Sequence, residues 1–298
     1  MSDDLAARVL ASLGRPVRGE VRDFARMLGE ESGAIGVLFY GSNLRTEALD
    51  GVLDFYVLLD GPQVEAIWPR IGYREWSAGD LILRAKVATM SLAKFAEAAA
   101  GRTLDTTIWT RFAQPSALAY ARDDAGELAI AEAVAAATRT AAGMAAALGP
   151  ARGTQDDYWR ALFRHTYRAE FRVEKAGRED SILALNAAHF DGLLGAAWTA
   201  NGIAYADESG VLAPCLAHAD RRALLARWRG RERLGKPLNI VRLAKAALTF
   251  DGAADYAAWK VERHTGIALE VTPFRRRHPL LAMPGAALDL WQATRRKA

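Results

Sequence analysis

One cysteine in 298 residues, Cys215, leaves no partner for an intramolecular disulfide and no CxxC pair for structural zinc. No run of eighteen uncharged apolar residues occurs, so no membrane-spanning helix is expected. The opening Met1-Ser2-Asp3-Asp4 lacks the basic-then-apolar order of a secretory signal. The sequence has no GxSxG elbow, no GxGxxG and no GxxxxGK[ST], which argues against a serine hydrolase, a Rossmann dinucleotide site and a Walker site. No period of 20 to 50 residues repeats, so a solenoid is not expected. What is left is ordinary globular composition, 51% hydrophobic and 25% charged, in a reducing cytoplasm.

The charge of +4 is small but unevenly placed. Residues 270–298 carry six basic groups (Arg275, Arg276, Arg277, Arg295, Arg296, Lys297) against Glu270 and Asp289, which accounts for the whole excess. Phe274, Leu280, Leu281, Leu288, Leu290 and Trp291 are interleaved with them. Such a basic amphipathic segment suits an anionic membrane surface, where each exposed cation contributes roughly 1 kcal/mol. Nucleic acid attracts the same pattern, but a lipid surface is the expected partner, which places the chain peripherally on the inner face of the membrane. Nothing in the sequence speaks to oligomeric state.

Apolar periodicity predicts two short helices within 4–29, broken at Gly14-Arg15-Pro16, then strands at 36–40, 52–59 and 82–90, with a helix near 63–68. Helices are expected at 92–99, 116–121, 125–148, 155–175, 180–200 and 219–230, with breakers at 148–153 and 207–214. The order strand, loop, strand, crossover, strand gives a mixed α/β (α+β) sheet domain over 1–150, a mainly helical domain over 151–270, and a tail over 271–298.

The chemistry is expected between Val37 and Asp60. An apolar strand ends at Tyr40-Gly41-Ser42-Asn43, and Asp54 follows inside a second apolar strand as Leu53-Asp54-Phe55. Glycine admits a close backbone approach to a triphosphate, the Ser42 hydroxyl and nearby amides can bond phosphate oxygens, and a following helix start adds a favourable dipole. A carboxylate within an apolar strand must meet a cation to offset its desolvation, and magnesium bridging phosphates is the natural one. A plain β-turn explains Gly-Ser equally well on these residues alone.

The same residues resemble the mitochondrial-type phosphatidate cytidylyltransferases, the translocator assembly and maintenance family within the polymerase-β-like nucleotidyltransferase superfamily. The resemblance runs through Tyr40-Gly41-Ser42, Leu53-Asp54-Phe55, Leu83-Arg84-Ala85-Lys86-Val87, Trp109-Thr110-Arg111-Phe112-Ala113-Gln114-Pro115, Thr166-Tyr167-Arg168-Ala169-Glu170-Phe171-Arg172 and Ala188-His189-Phe190. It implies a nucleotidyltransferase domain followed by a winged-helix-like region, and transfer of CMP from CTP to phosphatidate with magnesium, giving CDP-diacylglycerol and pyrophosphate. Polymerase-β-like enzymes usually carry two aspartates one residue apart. Here Val52 and Tyr56 flank Asp54, so a second metal ligand would come from Asp50, Glu47 or Asp60.

On this reading Asp54 and Lys86 are catalytic. Gly41, Ser42, Asn43, Arg111 and Gln114 hold the nucleotide, Tyr167 and Arg172 meet the substrate phosphate, and Asp54 with Asp50 binds magnesium. Lys86 lies on an apolar strand, where burial would demand an anion, although a snorkelling surface lysine fits too. Arg111 and Gln114 also suit helix capping. The face holding Arg164, Tyr167, Arg168 and Phe171 also suits a core-facing helix whose arginines pair with Glu170 and Glu174. His165 and His189 lack partners at metal-ligand spacing. Two alternatives stay open: a nucleotidyltransferase acting on another lipid phosphate, a sugar or RNA, and an inactive adaptor that binds membrane or nucleic acid.

Overall fold

A computed structural model describes residues 3–170, 177–249, 252–265 and 270–277. Helices α1 (Asp3–Leu13) and α2 (Gly19–Ser32) lead into β1 (Ala34–Tyr40), the one-turn α3 (Ser42–Thr46) and β2 (Val52–Leu59). β3 (Arg70–Ala78) and β4 (Leu81–Ser91) form a hairpin, and α4 (Leu92–Ala99) and α5 (Thr107–Phe112) connect it to β5 (Ser116–Ala121). The sheet order is β3-β4-β2-β1-β5. β2 runs parallel to β4, and the other neighbours are antiparallel. The fold is therefore mixed α/β.

Alternation along the strands sends side chains to two cores. Val37, Phe39, Leu53, Phe55, Val57 and Val87 pack under α2 through Val21, Phe24 and Leu28. Leu38, Tyr56, Leu58, Ala88 and Met90 face the larger core. That core is organised around α6 (Asp124–Leu148), whose alanines let α1, α4, α5 and α7 (Gln155–Ala169) approach closely on all sides. α8 (Arg178–Leu185), α9 (Ala187–Phe190) and α10 (Leu193–Ala200) follow, then the hairpin β6 (Ala204–Glu208) and β7 (Val211–Cys215). α11 (His218–Thr249) returns along α6 and α7 to β3, and α12 (Ala253–Thr265) and α13 (Pro273–Arg277) lie beyond it. At residue 150 the packing is continuous: Ala131, Ala142 and Ala145 share one core with Trp159, Leu162 and Trp198.

Five expectations are corrected. Residues 116–121 form a strand instead of a helix, because β1 offers them an edge (Tyr40 opposite Ser116, Phe39 opposite Ala117), and pairing overrides the helix preference of Ala and Leu. Residues 63–68 are irregular. The single helix expected over 180–200 divides into α8, α9 and α10, broken at Asn186 and at Asp191-Gly192, where Gly192 takes φ 68°. The helix at 219–230 extends to Thr249 through Pro237. The cluster at 207–214 is a hairpin whose turn uses Ser209 and Gly210 at positive φ, with the Gly210 amide donating to Asp207 at 2.9 Å. Strand β3 was not expected, since its Arg, Glu and Ser residues blur the alternation of an exposed edge strand.

Candidate active site

The corner between β1 and β2 is shaped by Gly41. Its backbone sits at φ 90° and ψ −163°, a region closed to residues with a Cβ. A Cβ built there would lie 2.8 Å from Asp54 Oδ2. The close approach of this carboxylate to the turn is therefore possible because position 41 is glycine. The chain then turns directly into α3, whose first backbone N–H groups have no side-chain cap. The expected helix start is present, though only one turn long.

Asp54 lies on β2 between Tyr40 of β1 and Lys86 of β4 in the strand register, so the three side chains share one face of the sheet. Burial pushes the Asp54 carboxyl above its ordinary value, and the nearby Lys86 and Arg111 charges act against that rise. Arg111, on α5, stacks over the Tyr40 ring at 5.0 Å and the Tyr56 ring at 6.0 Å. Burial disfavours its charge, but Tyr40, Tyr56, Asp54 and Glu170 outweigh that, and the guanidinium holds its proton more firmly than an ordinary arginine. Lys86 is exposed, so its presence on this strand needs no buried counter-ion.

The base of α5 is fastened from two sides. Asp105, with a side chain 1% exposed, accepts from the Ile108 amide at 2.9 Å and the Thr107 hydroxyl at 2.8 Å, and it pairs with Arg242 from α11. Thr106 donates to the buried Glu170 carboxylate beyond the end of α7. Arg242 in turn covers the Trp68 ring at 4.4 Å, and Lys245 donates to the Ile67 carbonyl. α11 thereby holds both the α5 base and the loop before β3. α12 adds Trp259, which lies under Arg84 at 5.6 Å and Arg263 at 5.3 Å.

The other expected site residues divide. Ser42 is exposed at the mouth of the corner, with its hydroxyl 3.3 Å from Asn43 Oδ1. Asn43 is buried and donates to the Ala48 carbonyl at 2.9 Å, so its amide fastens the loop and is not presented to a ligand. Gln114 donates to the Thr110 carbonyl at 3.0 Å, finishing α5. Tyr167 packs against the larger core. Asp50 is 82% exposed, its carbonyl accepts from Arg263 at 3.2 Å, and its carboxylate lies 4.0 Å from that guanidinium. Arg164 pairs with Glu179 at 2.6 Å, and not with Glu170. Arg172 and most of the basic tail (278–298) lie outside the described residues.

Among the described residues no group of three His, Cys, Asp or Glu side chains is clustered for a metal ion. One carboxylate beside two cations fits a magnesium ion held mainly by phosphate oxygens, and does not fit a cage made of protein ligands. The structure brings Gly41, Ser42, Asp54, Lys86 and Arg111 to one corner. No known protein-family model matches this chain, and no curated protein sequence matches it either. Asp105 and Arg242 were not among the expected site residues, and Glu170 was expected only as a partner of the helix arginines. Asp105 carried a local signal: Asp105-Thr106-Thr107 precedes the apolar pair Ile108-Trp109 as a helix-start sequence does.

Proposed function

We propose that this chain is a magnesium-dependent nucleotidyltransferase that transfers CMP from CTP to phosphatidate, giving CDP-diacylglycerol and pyrophosphate. The observation that carries the reading is the Asp54 carboxylate lying close against the Gly41 backbone, with the Lys86 and Arg111 charges acting on it. The uncapped α3 amides and the Ser42 hydroxyl receive the triphosphate. Lys86 and Arg111 supply positive charge where negative charge collects during displacement. When bound, magnesium neutralises the phosphates, with Asp54 as its protein carboxylate.

In the transfer, a phosphatidate oxygen forms a bond to the α-phosphorus as the bond to the bridging oxygen breaks, and pyrophosphate leaves with that electron pair. A phosphate monoester has a second pKa near 6, so the acceptor is already an anion at neutral pH and needs no general base. That agrees with a corner rich in cations whose one carboxylate suits a metal. The finer divisions belong to the same proposal: a nucleotidyltransferase sheet unit over 1–150, a winged-helix-like region over 151–270 comprising helices and the β6-β7 hairpin, and a lipid-facing tail from 271. Among the described residues no helix is long and apolar enough to cross a membrane. Phe274, 57% exposed, begins the segment proposed to meet the bilayer, while Arg276 is already paired with Asp255 at 2.9 Å.

The test is transfer of label from CTP radiolabelled at the α-phosphate to phosphatidate vesicles with magnesium. Label in the lipid phase that requires magnesium supports the proposal. Absence of labelled lipid from a folded protein, with label reaching a sugar or RNA acceptor instead, would reject phosphatidate as the substrate.

A further inference from the structure

A cleft of about 490 Å³ opens between α6, the end of α4, the α10–β6 turn and the first half of α11. That volume lies within the range of small-molecule sites. Arg139, Arg227 and Arg231 line it against one acid, Asp220. Arg231 is 4% exposed. Its Nη2 donates to the Gly101 carbonyl at 2.5 Å and lies 3.4 Å from the Thr103 carbonyl, yet its Nε–H is buried with no acceptor. Among the described residues none of these three arginines forms a salt bridge. A buried cation without a counter-ion is costly and is held in place here by its neighbours. Burial and the Arg227 charge both lower the Arg231 pKa, against the weaker pull of Asp105. Met144, Ile203 and Leu224 give the rest of the lining an apolar character.

We propose that this cleft is a second ligand site that takes a phosphate-bearing molecule with a small apolar portion, its phosphate bound by Arg139, Arg227 and Arg231. A bound anion supplies the counter-charge that these arginines lack among the described residues, and a phosphate oxygen suits a guanidinium fork. The site is separate from the Asp54 corner and does not depend on the reaction proposed for it. It is nonetheless connected to that corner: Arg231 lies 5.8 Å from the Trp109 ring of α5, the helix that carries Arg111.

Cys215, exposed and lining the same cleft, is a local reporter. The full-length protein is alkylated at Cys215 with N-ethylmaleimide over a range of inorganic phosphate and, separately, of short-chain dihexanoyl phosphatidate below its micelle-forming concentration. We expect alkylation to slow at least ~5-fold at saturation. Protection by both probes assigns the recognition to the phosphate, and protection by the lipid alone adds the apolar lining. In Arg139→Gln/Arg227→Gln, which leaves Arg231 in place, the half-protecting concentration should rise at least ~10-fold, as removing charge-assisted hydrogen bonds does. Asp54→Asn should protect as the parent does. No protection by either probe at 10 mM (about ten times a millimolar Kd) overturns the site. So does protection that persists unchanged in the double variant, or that disappears in Asp54→Asn.

Discussion

Two aspartates sit in the apolar interior of this protein, and their surroundings are opposite. Asp105 is enclosed by an amide, a hydroxyl and the Arg242 guanidinium, and the helix it starts is pinned by them. Asp54 lies at the corner between β1 and β2, its carboxyl pushed up by burial and answered by charges from Lys86 and Arg111. A carboxylate with both oxygens bonded inside the protein holds structure together. One that is partly desolvated beside two cations has capacity left for a ligand, and the glycine at 41 lets it lie against the turn.

The contrast breaks most sharply on substitution of Asp54. Asp54→Asn should lower transfer of label from CTP by about 10²- to 10³-fold, the scale of a lost transition-state charge contact. Its melting temperature should rise, because the buried charge is gone. A destabilised Asp54→Asn would place Asp54 with Asp105 as a structural group.

Asp105→Ala should do the reverse. It leaves Arg242 buried without its partner, and denaturant unfolding should show a loss of about 3–5 kcal/mol. Adding Arg242→Met should recover part of that, as expected when an ion pair is replaced by apolar side chains.

Gly41→Ala sharpens the comparison by filling the corner. Strained backbone at φ 90° costs roughly 1–3 kcal/mol, and the new methyl meets the Asp54 carboxylate. Activity should fall alongside thermal stability, whereas Asp54→Asn separates the two.

The smallest effect concerns the opposite end of α5. His189 Nε2 lies 3.0 Å from the carbonyl of Ala113, which closes that helix. Burial lowers its pKa from 6.5 to about 4, with the Ala113 bond opposing and Arg15 adding to the fall. The folded state thus favours the neutral ring, so its contribution to stability is complete above pH 6.5 and is lost as pH falls toward 4. Chemical denaturation across that window should steepen with acid, and His189→Gln should flatten the slope.

Much of this was legible in the sequence where local chemistry and tertiary role coincide. Gly36 to Tyr40 and Val52 to Leu59 read as strands because they are apolar, β-branched or aromatic, and the Gly-Ser between them read as a turn at a site. Asp54 stood out as a lone acid in such a run. Ser116 to Ala121 misled because its alanines favour a helix until β1 presents an edge, which only the assembled sheet provides. Asn43 and Gln114 sat within the right motifs, but which backbone carbonyl their amides would take depends on loop closure. Arg242 lies 137 residues from Asp105 in sequence, and no local pattern links them.

Calorimetric titration of CTP into the protein measures directly whether the Asp54 corner takes CTP with magnesium. We predict saturable binding that needs magnesium and is lost in Asp54→Asn while Asp105→Asn, if folded, retains it. Equal binding by Asp54→Asn and the parent protein, or binding indifferent to magnesium, would contradict the central claim.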